Sequence, residues 1–319
     1  MSSIPEFSAK VEMCGRFKLE VYKQSTGELV KQTDWFNNIV LNQGLNLAFN
    51  KNIFSGVAVG TGNSTPVVTQ TDLDSRFAAT TTAVGSDIKT IIDADVPYAS
   101  LIKQFRFNAG VFNDQVLTEV GITTNETGAL LFNRALILDA NGQPSSIQIK
   151  SDEYLDVKVE LRMYVSKTPT TGSFNLTDKN NHLIRSHSYQ CLPSKINTSI
   201  FYSLSSGFSS GNGFGLQAYP NSMSTNIFTG YPSGSTIFST SNTSVSKTYL
   251  SYVNDSYSAR FRIVVPLSLG NAAAIKSFLL ETYMIAFQFQ LDETIQKTAD
   301  EIFTIFFSVS WGRYTGVVE

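Results

Sequence analysis

The residues 57–66, Val-Ala-Val-Gly-Thr-Gly-Asn-Ser-Thr-Pro, are the first that could do chemistry. An apolar run breaking into Gly60 and Gly62 is how phosphate-binding loops begin, with backbone N–H groups turned towards an anion. A dinucleotide fingerprint needs a third glycine and an immediate helix, and a Walker loop needs Gly-Lys-Ser/Thr. Here Pro66 and the sequence VVTQTDLDS follow instead. Gly60 and Gly62 are therefore read as a structural turn, serving backbone geometry or a close approach, and no nucleotide or other cofactor is implied.

Gly207-Phe208-Ser209-Ser210-Gly211 formally matches a nucleophile elbow. That motif requires a strained strand-to-helix turn and, in its usual chain order, a histidine further on. Both histidines, His182 and His187, precede Ser209, and the flanking SLSSGFSSGNGFG reads as a Ser/Gly loop. A triad of different order stays open, because geometry defines a triad, but the expectation is that the chain is not an enzyme. Two histidines and the distant Cys14 and Cys191 make no recognisable metal-ligand set. The oxygens of Asp93 and Asp95, and of Asp139 to Gly142, are too few for a calcium loop. The second of these reads as a hairpin turn. Asp152-Glu153 and Asp300-Glu301 are adjacent acids whose side chains point to opposite faces of a strand, so neither pair converges on a substrate.

The elements around these residues are mostly period-two. FKLEVYKQ alternates, turns at Thr26-Gly27 and returns as ELVKQTDWF, which predicts a hairpin. DVKVELRMYV puts Val157, Val159, Leu161 and Met163 on one face. A short helix is predicted over 38–49, capped by Asn37 or Asn38 and weakened by Gly44; SKINTSIFYSL, with Ser194 as its cap, is the counterpart later in the chain.

The order of blocks repeats. SIQIKSDE (146–153) and TIQKTADE (294–301) both place Ile-Gln five residues before Asp-Glu; LFNRALILD (131–139) pairs with IAFQFQLDE (285–293), and VLTEVGI (116–122) with IKSFLLE (275–281). Three collinear matches favour an internal duplication. The predicted fold is mainly β: two tandem β-sandwich domains, 1–168 and 169–319, each with a short covering helix, divided at the polar segment KTPTTGS.

Composition narrows the function. The 319 residues carry a net charge of −2, only 16% are charged, and there are 23 Phe and 13 Tyr. No Lys/Arg cluster exists to release counterions, so direct nucleic-acid binding is not expected. No apolar stretch is long enough to span a membrane as a helix, and the N-terminus lacks a signal-peptide pattern. Two cysteines far apart are expected to be free thiols made in a reducing cytosol. Tyr219, Tyr231, Tyr249, Tyr252 and Tyr257 lie amid Ser and Asn. They read first as ordinary sheet tyrosines; the functional alternative is a partner or glycan contact, chiefly through Tyr219, Tyr231, Tyr252 and Tyr257.

The ordered blocks GELVKQTDWFNNIVLNQGLNLAF, VAVGTGNSTPVVTQTDL, LTEVGI, LFNRALILD and SDEYLDVKVELRMY, roughly residues 15 to 165, resemble a family of tailed-bacteriophage virion proteins. Its members are tail, tail-fibre or minor structural components. The resemblance implies a β-sandwich subunit of the virion, assembled in the bacterial cytoplasm in the tail, baseplate or fibre-attachment region. Such a subunit acts by packing against copies of itself and other virion proteins. A host-receptor or glycan-binding module, or a capsid-decorating or collar protein, is the alternative. Low charge and abundant Ser, Thr and Asn suit a surface covered by symmetric neighbours.

Overall fold

The computed structural model describes residues 6–49, 53–125, 127, 130–196, 214–271, 273–282 and 285–318. β1 (Glu6–Lys23) turns through Gly27, whose φ is +70°, into β2 (Leu29–Gln32). Next come β3 (Phe36–Asn37), β4 (Ile39–Val40), helix α1 (Asn42–Leu47), β5 (Gly56–Gly60), β6 (Arg76–Thr80), β7 (Ala83–Ile91) and β8 (Tyr98–Phe107). They are followed by β9 (Gln115–Leu117), β10 (Glu119–Thr123), β11 (Asn133–Leu136), β12 (Ile147–Ile149) and β13 (Glu153–Tyr164). Beyond the polar segment run β14 (Thr170–Thr177), β15 (Leu183–Ile196), β16 (Gly215–Tyr219), β17 (Phe238–Ser239) and β18 (Ser246–Tyr249). The last strands are β19 (Ser258–Val265), β20 (Ile275–Glu281), β21 (Ile285–Ile295) and β22 (Phe303–Arg313).

The fold is mainly β and sandwich-like. A nine-stranded sheet has the path β18-β19-β22-β1-β13-β8-β7, with β2 and β3 also on β1. A five-stranded sheet, β4-β11-β10-β5-β6, and a six-stranded sheet, β14-β15-β21-β20-β16-β17, supply the other layers, with β12-β9 as a small ribbon. Alternation decides which face is buried. Val157, Val159, Leu161 and Met163 all have 0% exposure, facing the core as their spacing requires.

β1 joins the two halves of the chain. Residues 12–23 pair antiparallel with β13, while residues 6–13 pair parallel with β22. The nine-stranded sheet thus takes strands from both sides of residue 168. Phe7 carries the packing there: its ring lies 4.8–5.5 Å from those of Phe174, Tyr189, Phe278, Phe289 and Phe307. The repeated blocks fall on strands with similar pairings. β10 lies between β5 and β11, and β20 between β16 and β21; β13 pairs with β8, and β22 with β19. The direction in which β1 meets β13 and β22 differs.

The helices need correction. The first is shorter than 38–49, spanning Asn42–Leu47, because Ile39–Val40 are claimed as a strand by β11; Asn37, offered as a cap, lies in a strand on β1. The helix N-cap is Leu41, with no side-chain cap, rather than Asn37 or Asn38. Gly44 is needed rather than merely tolerated: a Cβ there would lie 1.9 Å from the Phe132 carbonyl oxygen, so only glycine lets α1 sit on that backbone. Ser194 caps no helix; it belongs to β15, and its hydroxyl donates to the Gly230 carbonyl. Residues 197–204, the rest of the predicted second helix, lie outside the described residues.

Candidate functional site

β5 is buried along its whole length and ends at Gly60, where β10 sets Glu119 directly opposite. β11, the next strand, brings in Arg134. Neither side chain exposes any surface. Glu119 Oε1 accepts from the Gly62 N–H at 2.9 Å and the Ser75 N–H at 2.8 Å. Its Oε2 accepts from the Asp74 N–H at 3.0 Å and from Arg134 Nε at 2.9 Å. The glycine loop cradles an anion after all, and the anion is the chain's own Glu119.

Arg134 closes the other side. Nη1 donates to Gln70 Oε1 at 2.7 Å and Ser64 Oγ at 3.3 Å; Nη2 donates to the Ser64 carbonyl at 3.1 Å and Asp74 Oδ2 at 2.8 Å. Each of the five N–H groups of the guanidinium therefore has an acceptor. Burial pushes the Asp74 carboxyl up, but hydrogen bonds from Ser64 and the Arg134 charge outweigh it and hold it below the usual carboxylate range. The clasp fixes loop 61–75 across β10 and β11. Its glycines are required by approach: a Cβ on Gly60 would lie 2.5 Å from Glu119 Oε1 and the Ser75 carbonyl, and one on Gly62 2.3 Å from Asp74 Cβ.

Sequence reasoning found the glycines and missed Glu119 and Arg134. The available signal was a lone charge inside each apolar block, LTEVGI and LFNRALILD. A buried charge must be paired, and two such blocks in one chain are each other's obvious partners.

The tyrosines are scattered over the second half of the chain. Tyr219 is buried with Leu279 and Ala286, and its hydroxyl donates to Gln217 Oε1 at 2.6 Å. Tyr231 is 45% exposed, with Lys195 Nζ 5.0 Å from its ring centre. Tyr252 stacks on Phe49 at 4.3 Å and donates to Asn46 Oδ1 at 2.7 Å, fastening loop 250–257 to α1. Tyr257, on the same loop, donates to Asp255 Oδ1 at 3.4 Å. Tyr252 and Tyr257 are thus neighbours, while Tyr219 is interior and Tyr231 stands over Lys195.

His187, on β15, is buried and contacts Asp292 through Nδ1 at 3.1 Å. Ser188 donates from both its N–H and its hydroxyl to Asp292 Oδ2, so the hydroxyl lies on the carboxylate and not on the imidazole. Asp292 here ties two neighbouring residues of β15 in place. His182 is exposed, beside Asp178. The segment 207–211 with Ser209 lies outside the described residues. Asp139 and Gly142 form the expected turn, closed by the Gly142 N–H on the Asp139 carbonyl at 2.9 Å. Cys14 and Cys191 are free and buried; burial raises both thiols, Cys14 to about 11.

A cleft of about 430 Å³ opens between Asp93, Asp95, Tyr98, Arg162, Tyr164 and Tyr314. Arg162 is 3% exposed, lies 4.4 Å over the Tyr98 ring and donates to the Tyr164 hydroxyl at 3.2 Å. Tyr164 and Tyr314 stack at 3.7 Å. Among the described residues no group of three or more His, Cys, Asp or Glu is placed to hold a metal ion, and no helix is long and apolar enough to cross a membrane. Comparison with family models, curated proteins and solved structures gives no match for the chain.

Proposed function

We propose that the chain is a structural component of a tailed-bacteriophage virion, in the tail, baseplate or fibre-attachment region, working by packing against copies of itself and other virion proteins. The observation that carries this reading is the clasp. The blocks that resemble the virion family, VAVGTGNSTP, LTEVGI and LFNRALILD, meet at Gly60, Gly62, Glu119 and Arg134 and satisfy one another's polar groups. Glu119 accepts four hydrogen bonds and Arg134 donates five, so both side chains are consumed in building a scaffold. The repeated blocks and their similar strand pairings support a duplicated sandwich as its origin.

The test is particle composition. Mass spectrometry of purified particles should find the chain at a fixed stoichiometry, and cryo-EM density at the tail should accept the joined nine-stranded sheet. Absence from purified particles would overturn the reading. A second reading, a glycan contact on the virion, is favoured by the Tyr98–Arg162–Tyr164–Tyr314 cleft, where aromatic rings sit beside polar groups as neutral sugars require. Retention on host polysaccharide, lost in Tyr314→Ala, would support it.

A further inference from the structure

We infer that β7 is the seam of a twofold dimer, in which two copies of the nine-stranded sheet join edge to edge through Ser86-Asp87-Ile88-Lys89-Thr90. β7 is the terminal strand of that sheet: β8 pairs along one side of it, and no described strand pairs along the other. Its free edge is a row of backbone donors and acceptors, the template on which another strand adds. Ala83 to Asp87, Lys89 and Thr90 are exposed, and only Ile88 and Ile91 are half-buried.

The occupant follows from the charge pattern. A twofold axis between antiparallel strands stands perpendicular to the sheet, so some residue must lie opposite its own copy. With Asp87 or Lys89 on the axis, like charges would face each other, which destabilises a strand pair. With Ile88 on the axis, Asp87 meets the partner's Lys89, and Lys89 meets the partner's Asp87. Ser86 then faces the partner's Thr90, and the half-buried Ile88 gains the partner's Ile88. Asp87 and Lys89 are each 57% exposed and 3.5 Å apart within one chain, so both are free to turn outward without disturbing the core. Lysine on an edge strand normally repels an added strand; here the same strand carries the acid that neutralises it. The contact is a single strand pair, so the dimer is expected to be weak and to depend on concentration.

The interface extends the oligomeric part of the virion reading, but it is measured without particles, so either can fail while the other stands. Sedimentation velocity of the full chain at low ionic strength, where screening is least, should show a monomer–dimer equilibrium. Asp87→Lys and Lys89→Asp should each weaken it by about tenfold or more, since each turns both cross-strand pairs into like-charge pairs. Mixing the two variants in equal amounts should restore dimerisation. The Asp87→Lys copy then presents two ammonium groups to the two carboxylates of the Lys89→Asp copy. Circular dichroism serves as the control that both variants fold. A wild-type chain that stays monomeric up to about millimolar concentration would overturn the inference. So would a dimer whose affinity neither variant changes.

Discussion

Glu119 Oε2 stands 2.9 Å from the Arg134 guanidinium, and neither side chain has any exposed surface. Removing one member of a buried pair leaves an uncompensated charge, at a cost of about 3–5 kcal/mol. Glu119→Ala also strips the Gly62, Asp74 and Ser75 N–H groups of their acceptor. It should fall at the upper end of that range in urea unfolding. Arg134→Met keeps those three bonds, and the acceptors it abandons, on Gln70, Ser64 and Asp74, lie near enough the surface for water to replace the guanidinium, so it should lose less. Equal losses from the two would argue that the three N–H bonds add little beyond the ion pair.

Gly62→Ala should destabilise by about 2 kcal/mol or more, in line with other overpacked sites. Its methyl would stand 2.3 Å from Asp74 Cβ and 2.5 Å from Glu119 Oε1. Gly312→Ala is the control, because a Cβ there meets nothing within 4 Å. That variant should stay within about 0.5 kcal/mol of the parent. Limited proteolysis should cut loop 61–75 faster in Gly62→Ala alone.

Phe7→Ala should lower stability by about 3–5 kcal/mol, the range for a buried aromatic. The rings packed on Phe7, from Phe174, Tyr189, Phe278, Phe289 and Phe307, all belong to residues beyond 168, which makes Phe7 a test of the junction. Residues 169–319 expressed alone would leave the edge of β22 without β1. They should be poorly soluble until a peptide of residues 6–23 is supplied. Full solubility of 169–319 by itself would contradict the shared strand.

Lys103 sets a pH dependence. Its ammonium donates to the Phe54 carbonyl at 3.0 Å, and burial pushes its pKa from 10.5 down to about 8. Below about 8 both the folded and unfolded chains hold the proton, and the folded state carries the full cost of burying the charge. Between about 8 and 10.5 the unfolded chain binds more protons, so this residue's contribution to stability rises with pH. The urea midpoint of wild type relative to Lys103→Met should therefore increase from pH 7.5 to 9.5. A constant difference would show that the amine titrates normally.

Local rules made much of the fold legible. The alternation of Val157 to Met163 named a buried face, Thr26-Gly27 named a hairpin, and Asp139 to Gly142 named a turn. Pairing between distant strands was not legible. Nothing near Glu6 in the sequence says that it lies beside Phe306. The helix was overestimated because Ile39–Val40 pair with β11, a partner that lies about ninety residues away and leaves no local signal. At the site, the need for glycine was visible at 60 and 62. The reason for it, a carboxylate arriving from residue 119, depended on strand order that periodicity does not contain.

The parallel run from Glu6 beside Phe306 to Met13 beside Arg313 has a mechanical consequence. Tension applied between the start of β1 and the end of β22 acts along these neighbouring strands in opposite directions. It therefore shears the whole ladder rather than peeling it bond by bond. Rupture would require the bonds to yield together, with a high barrier to forced unfolding. The seam that ties the halves of the chain into one sheet is thus also oriented to bear load.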